Sequence, residues 1–243
     1  MPKQGEIEYV ANMATVLGVS RQEVEHFLLY KPYSVPSRRG CYLMDLGQIF
    51  RLLPEPPARL LDVGCGTGWT SKMFALAGFD VVGLDISADM IELARTNCRG
   101  AGSVDFLVRD YEMAIDCGTF QCAVIYDALH HAVDEHRIVK NVFDSLEAGG
   151  VFITAEPGRG HADHPDTKRE AEKWGTTEKD MPFAHQKALM VAAGFKDIRQ
   201  YVRLSEIPLI PLDETDGGQD QQISAVLYHT RDLGFTSICV ARR

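Results

Sequence analysis

A short apolar run carries an acid directly into a turn with three alternate glycines: Leu60-Leu61-Asp62-Val63-Gly64-Cys65-Gly66-Thr67-Gly68. Glycine has no Cβ and tolerates positive φ, so such a turn can bend sharply and lay its amides against a small polar molecule. An apolar run of this length followed by helical spacing reads as a buried strand feeding a helix, which points to an α/β fold. The turn departs from a dinucleotide loop, because G-x-G-x-x-G counted from Gly64 requires glycine where Trp69 stands, and that reading weakens. It departs from a P-loop as well. That loop needs Gly-Lys-Ser/Thr to hold phosphate and magnesium, and here the sequence runs Gly68-Trp69-Thr70-Ser71-Lys72.

Asp62-Val63-Gly64-Cys65-Gly66-Thr67-Gly68 resembles motif I of the class I S-adenosylmethionine-dependent methyltransferases. The resemblance implies S-adenosylmethionine as cofactor. It places Asp62 toward the methionine amino group, packs Gly64, Cys65, Gly66 and Gly68 against the ligand, and turns the amides of the next helix to the methionine carboxylate. A second run, Phe79 to Leu84, delivers Asp85, 23 positions after Asp62. One carboxylate there can accept from both hydroxyls of an unphosphorylated ribose, a logic that NAD-binding folds share. A third run, Val104 to Arg109, ends at Asp110-Tyr111. By the same resemblance Asp110 accepts from the adenine amine while Ile86 and Tyr111 cover the ring faces; the competing reading is that Asp110 only caps a turn.

The 243 residues contain 45% hydrophobic and 24% charged side chains and no apolar run of about 18, a soluble globular composition. With 25 Lys and Arg against 34 Asp and Glu, the net charge of −9 works against tracking a phosphate backbone, so nucleic acid is not the expected partner. The six cysteines fall at 41, 65, 98, 117, 122 and 239 without a C-x-x-C pair. They read as reduced thiols, and with no visible signal peptide the expected location is cytoplasmic. Oligomeric state has no sequence signal.

Residues 6–30 show helical spacing, with Ser20 as N-cap of a second segment, and Arg39 to Leu53 resumes it after Lys31 to Pro36. Residues 1–53 are therefore read as an N-terminal helical extension lying over a cofactor domain of 54–243. Of this extension Tyr30, Tyr33, Arg38 and Arg39 are the ligand candidates, with solvation or packing the simpler role. Strands are expected from Arg59, Asp80, Val104, Phe120 and Gly150, with a helix over Glu135 to Leu146 that stops at Gly149-Gly150. Residues 157–180 read as a polar loop or short lid. A helix at Phe183 to Ala193, a strand through Ile198 to Leu204, an insertion at 208–222 and closing β material at Ile223 to Tyr228 and Phe235 to Ala241 complete the order. This matches the class I methyltransferase plan: a doubly wound, mostly parallel seven-stranded sheet with helices on both faces and an antiparallel last strand.

Ligands of such sheets bind beyond the carboxyl ends of the strands, where the strand order reverses. The loop after the fourth strand reads Asp127-Ala128-Leu129-His130-His131, at the position that in methyltransferases faces the sulfonium methyl and the acceptor. A hydroxyl acceptor must lose a proton, and imidazole suits that work near neutral pH, which makes His131 the first candidate base and His130 the second. The Asn/Asp-Pro-Pro-Tyr of DNA and protein-amide N-methyltransferases is not present, which favours oxygen over a planar amine. Asp127, His130, His131, Glu156, His161 and His164 form a set of possible metal ligands distantly similar to that of small-RNA 2′-O-methyltransferases, yet their spacing is not that of a fixed metal motif and no resident metal is expected. Arg159, Lys168, Arg169 and Lys173 alternate with acids and are expected to be solvated. The expected activity is methyl transfer from S-adenosylmethionine to a small-molecule hydroxyl, with glycan or secondary-metabolite biosynthesis as its setting. A metal-assisted O-methyltransferase, an NAD(P)-dependent oxidoreductase and an inactive cofactor-binding regulator are the alternatives.

Overall fold

Why the chain winds as it does is visible in β1, Arg59–Val63, whose side chains alternate between the two faces of a sheet. Leu60 joins the core on one face, while Leu61 and Val63 join the core on the other. A strand buried on both sides must be covered by helices on both sides, and the rest of the chain supplies them. The computed structural model describes residues 3–206 and 237–243. Its seven strands are β1, β2 (Asp80–Asp85), β3 (Val104–Val108), β4 (Phe120–Tyr126), β5 (Leu146–Glu156), β6 (Lys196–Val202) and β7 (Ser237–Arg242). They lie in the order β3-β2-β1-β4-β5-β7-β6, with β7 antiparallel to both neighbours and the first five strands parallel.

Helices α4 (Arg39–Leu52), α5 (Trp69–Leu76) and α6 (Ala88–Asn97) cover one face, through Tyr42, Leu46, Ile49, Trp69, Phe74, Ile91 and Ala94. The other face is covered by α7 (Glu135–Ser145) and α9 (Phe183–Ala193), through Ile138, Val139, Val142, Leu189 and Met190. Although α4 precedes residue 54, it packs into the main core. The part with a cluster of its own is α1 (Gln4–Ile7), α2 (Tyr9–Leu17) and α3 (Arg21–Leu29), where Val10, Met13 and Val24 meet Leu93 of α6 and Trp174. Ser20 caps α3 in a reciprocal capping box with Glu23.

One sequence expectation changes. Residues 157–180 contain a helix, α8 (Pro165–Trp174), started by Pro165 at its first position and closed by Gly175 in the left-handed region. Its polar composition, read as loop, reflects a helix with one buried edge, Thr167 and Trp174, and an otherwise solvated surface. The expected insertion at 208–222 and strand at Ile223 to Tyr228 lie outside the described residues.

The glycine turn is held by geometry that other residues cannot adopt. Gly64 has φ +72°, and a Cβ built there would stand 2.5 Å from the Ala128 Cβ. Gly64→Ala is therefore expected to cost about 2–4 kcal/mol from left-handed strain plus overpacking. In a chain of this size that lowers the melting temperature by roughly 4–16 °C. Thermal denaturation checks this, and a shift below about 1 °C would show that the turn relaxes freely.

Candidate functional site

The carboxyl ends of β1 to β5 open into one cavity of about 860 Å³. Its wall takes Gly64 to Thr67 from the loop after β1, Asp85 and Ile86 from the end of β2, and Tyr111 from beyond β3. The β4 loop adds Asp127, Ala128, His130 and His131, and Pro157 to His161 follow β5. Glu6, Tyr9, Leu28 and Lys31 of the N-terminal segment close the remaining side.

Asp85 sits at the tip of β2, where its two carboxylate oxygens accept from the amides of Ser87 (2.9 Å) and Gly66 (2.9 Å). Burial pushes its pKa up, and those two amides oppose the shift. Gly66, at φ +51°, has open space where a side chain would begin. Asp62 is placed otherwise than expected. It shares the face of Leu60 by the two-residue period of the strand, so it lies under the first turn of α5 and accepts from Thr70 Oγ1 (2.7 Å) and Ser71 Oγ (2.6 Å). It is 1% exposed and is absent from the cavity wall, and burial raises its pKa to about 6 against the two hydroxyl bonds. Gly68 is also off the wall, pressed against Ala94 and Phe106. Asp110 pairs with Lys3 (2.6 Å) and accepts from the Glu112 amide (3.0 Å), a turn-capping geometry that leaves Tyr111 as the β3-end residue facing the cavity.

The β4 loop is held from below by Glu156 at the end of β5. This fully buried carboxylate accepts from the amides of Ala128 (3.1 Å) and Leu129 (2.9 Å) and lies 2.7 Å from His130 Nδ1. Burial alone would lower the His130 pKa, but the Glu156 hydrogen bond and the charges of Glu156, Asp127 and Glu178 raise it to about 9. His130 is thus an imidazolium at neutral pH. Asp127, at φ +55°, is held well below the usual carboxylate range: its burial is outweighed by His130, Arg203, Lys31 and Arg38.

His131 is tied differently. Its Nδ1 lies 2.7 Å from the Thr177 carbonyl oxygen, with Glu6 (3.5 Å) and Glu178 (3.6 Å) beside it. A carbonyl can only accept, so Nδ1 carries a proton and Nε2 is the nitrogen left to exchange one. Among the described residues, His130, His131 and Glu178 bring donor atoms within 4.8 Å of one another, a set of the type a divalent ion takes. The wider set read from sequence is not brought together: Glu156 braces the β4 loop, His161 pairs with Glu178 (3.0 Å), and His164 caps α8.

Known proteins agree with this arrangement. The methyltransferase domain family matches residues 61–154, from β1 into β5. The O-methyltransferase cnsE of Penicillium expansum is 29% identical over 79% of this chain and 75% of its own length. The ubiquinone biosynthesis O-methyltransferase of Pectobacterium atrosepticum is 26% identical over 61% of this chain, which spans 58% of that relative. Residues 61–154 carry a methyltransferase domain, and the chain is similar to S-adenosylmethionine-dependent methyltransferases. The fold of the Haemonchus contortus phosphoethanolamine N-methyltransferase 2, solved with S-adenosylmethionine, superposes with a TM-score of 0.62 at 21% identity, over 83% of this methyltransferase and 52% of that chain.

S-adenosylmethionine is the cofactor of this methyltransferase, and the cavity suits it: an open glycine turn with positive φ at Gly64 and Gly66, and a buried carboxylate at Asp85. Of the N-terminal candidates only Arg38 lines the cavity, while Tyr30 and Tyr33 are 60% and 46% exposed. Arg159 also lines it, whereas Lys168 and Arg169 pair with Asp163 and Asp166. Sequence reasoning missed Glu6, Lys31, Glu178 and Arg203 as wall residues and Glu156 as the brace. Only Glu156 carried a local signal, an acid closing an apolar strand. The others arrive from segments whose proximity depends on tertiary packing.

Proposed function

We propose that this methyltransferase acts on a hydroxyl oxygen of a small-molecule acceptor, with Asp85 holding the cofactor ribose and His131 removing the hydroxyl proton. The observation that carries the reading is the Thr177 carbonyl on His131 Nδ1, which fixes the tautomer whose Nε2 is basic. The O-methyltransferase names of the two relatives support it. The cofactor supplies a methyl group on a sulfonium, already an activated leaving group, so the protein's task is alignment and exclusion of water. Gly64, Cys65 and Gly66 would offer backbone to the cofactor, with Ile86 and Tyr111 as walls for its base and Asp127 at the methionine end. Asp62, Gly68 and Asp110 would act one layer back, by fixing α5, the turn and the N-terminal segment. His130, charged and tied to Glu156, is better fitted to hold the loop than to take a proton.

The test is an acceptor screen read by S-adenosylhomocysteine release, with and without a divalent chelator. Turnover of hydroxyl compounds that survives chelation supports the reading, turnover lost to chelation selects the metal-assisted form, and turnover confined to amines overturns it. Calorimetry checks the cofactor half. Asp85→Ala is expected to weaken S-adenosylhomocysteine binding about 100-fold, since two hydrogen bonds to a charged group are worth about 1.5 kcal/mol each at the low end. An affinity within about threefold of the parent would remove Asp85 from ribose recognition.

A further inference from the structure

One wall of the cavity collects positive charge in a chain whose net charge is −9. Lys31 follows α3, Arg38 precedes α4 and Arg203 follows β6, and all three line the cavity. Each is backed by an aromatic ring. The Lys31 Nζ lies 5.0 Å from the centre of the Tyr42 ring and 5.8 Å from that of Trp69, the Arg38 guanidinium 5.4 Å from Tyr42, and the Arg203 guanidinium 5.5 Å from Tyr126. Rings position a cation without neutralising it.

Among the described residues the neutralising groups are few. Arg203 is 4% exposed and reaches Asp45 (2.7 Å) and the Tyr126 hydroxyl (3.2 Å) through Nη2, yet among the described residues its buried Nε has no hydrogen-bond partner. Among the described residues no carboxylate stands within 4.0 Å of Lys31 or Arg38. Among the described residues these three cations thus have Asp45 and Asp127 as their acidic neighbours. A guanidinium or ammonium withdrawn from water without a full set of acceptors is costly, and a buried orphan donor requires an explanation.

Sheet order places this wall relative to the Asp85 side of the cavity. Asp85 and Tyr111 come from β2 and β3, on one side of the β1–β4 crevice, whereas Arg203 follows β6 at the opposite edge. The cation wall therefore faces the ribose carboxylate across the crevice, with Asp127 at the end of β4 between them. The side toward His131 is acidic, through Glu6 and Glu178. We propose that Lys31, Arg38 and Arg203 receive a carboxylate or phosphate group of the acceptor, so that the methyltransferase acts on hydroxyl compounds that are also anions. This deepens the function proposed above and rests on it. The same chemistry could serve the methionine carboxylate of the cofactor, and the experiment separates the two.

Isothermal titration of the full chain saturated with S-adenosylhomocysteine would use inorganic phosphate, 4-hydroxybenzoate and phenol as probes. The expected result is binding of at least one anion with about tenfold or greater preference over phenol. Lys31→Met with Arg38→Met should remove that preference while moving S-adenosylhomocysteine affinity less than about threefold. Arg203→Lys, which keeps the charge beside Asp45, should retain binding of the anion but weaken it. The inference is overturned if neither anion binds better than phenol. It is equally overturned if the double variant loses S-adenosylhomocysteine affinity by tenfold or more but binds methylthioadenosine, which has no carboxylate, as the parent does. A parent protein that methylates neutral hydroxyl compounds as readily as anionic ones sinks this inference alone, whereas one that turns over no hydroxyl compound sinks the proposed function.

Discussion

His131→Ala is expected to lower turnover of a hydroxyl acceptor by about 10²–10⁴-fold, the usual contribution of a positioned general base. S-adenosylhomocysteine affinity should stay within about twofold, because the side chain lies on the β4 loop and not on the glycine turn. The two readouts separate chemistry from binding. The defect should also shrink with acceptors whose hydroxyl is more acidic, since a proton that leaves readily needs less help. Single-turnover kinetics with a series of substituted phenols would show this. A constant defect across the series, or turnover within about threefold of the parent, would take His131 out of the proton transfer.

Glu156→Ala should produce the largest loss of stability. The substitution leaves an imidazolium at His130 buried without its partner and strips acceptors from the Ala128 and Leu129 amides. Breaking a buried pair in this way costs about 3–5 kcal/mol. The corresponding fall in melting temperature is roughly 6–20 °C for a chain of this length. The pH dependence has a defined sign. Because His130 titrates at about 9 when folded, its contribution is fully present below the unfolded value of about 6.5 and is lost as pH rises through 9. Glu156 from β5, Asp127 and His131 from its own loop, His161 after β5 and Glu178 after α8 all face that ring. Urea denaturation at several pH values would show the parent weakening from neutral to alkaline pH and the variant nearly flat. A variant as stable as the parent, with the same slope, would deny Glu156 this role.

What the sequence disclosed follows from how local the signals are. Ser20 and Glu23 sit three positions apart, so the capping box is written in the chain itself, and Pro182 and Gly194 bracket α9 in the same manner. The glycine turn and Asp85 are equally local, and Gly64, Gly66 and Asp85 do line the cavity. Asp62 shows where motif matching stops: the acid is in register, but the parity of β1 turns it beneath α5. Glu6, Glu178 and Lys31 could not be read at all. They reach the cavity through long-range contacts, as where the Thr177 amide donates to Glu6 across 171 positions. Helix α8 was hidden because a mostly solvated helix leaves little apolar period.

The placement of β7 between β5 and β6 bears on how the enzyme comes into being. Among the described residues β6 pairs in the sheet with β7 alone, so the backbone pairing of the 196–202 segment waits until residues 237–242 have been made. A nascent chain emerging from the ribosome would own the glycine turn, Asp85 and the histidine pair after β4 before the β6 edge is paired. Pairings of such long sequence separation form late. The centre of the sheet, with the glycine turn and Asp85, is therefore assembled first, and the edge from which Arg203 extends is finished only when the chain closes over itself.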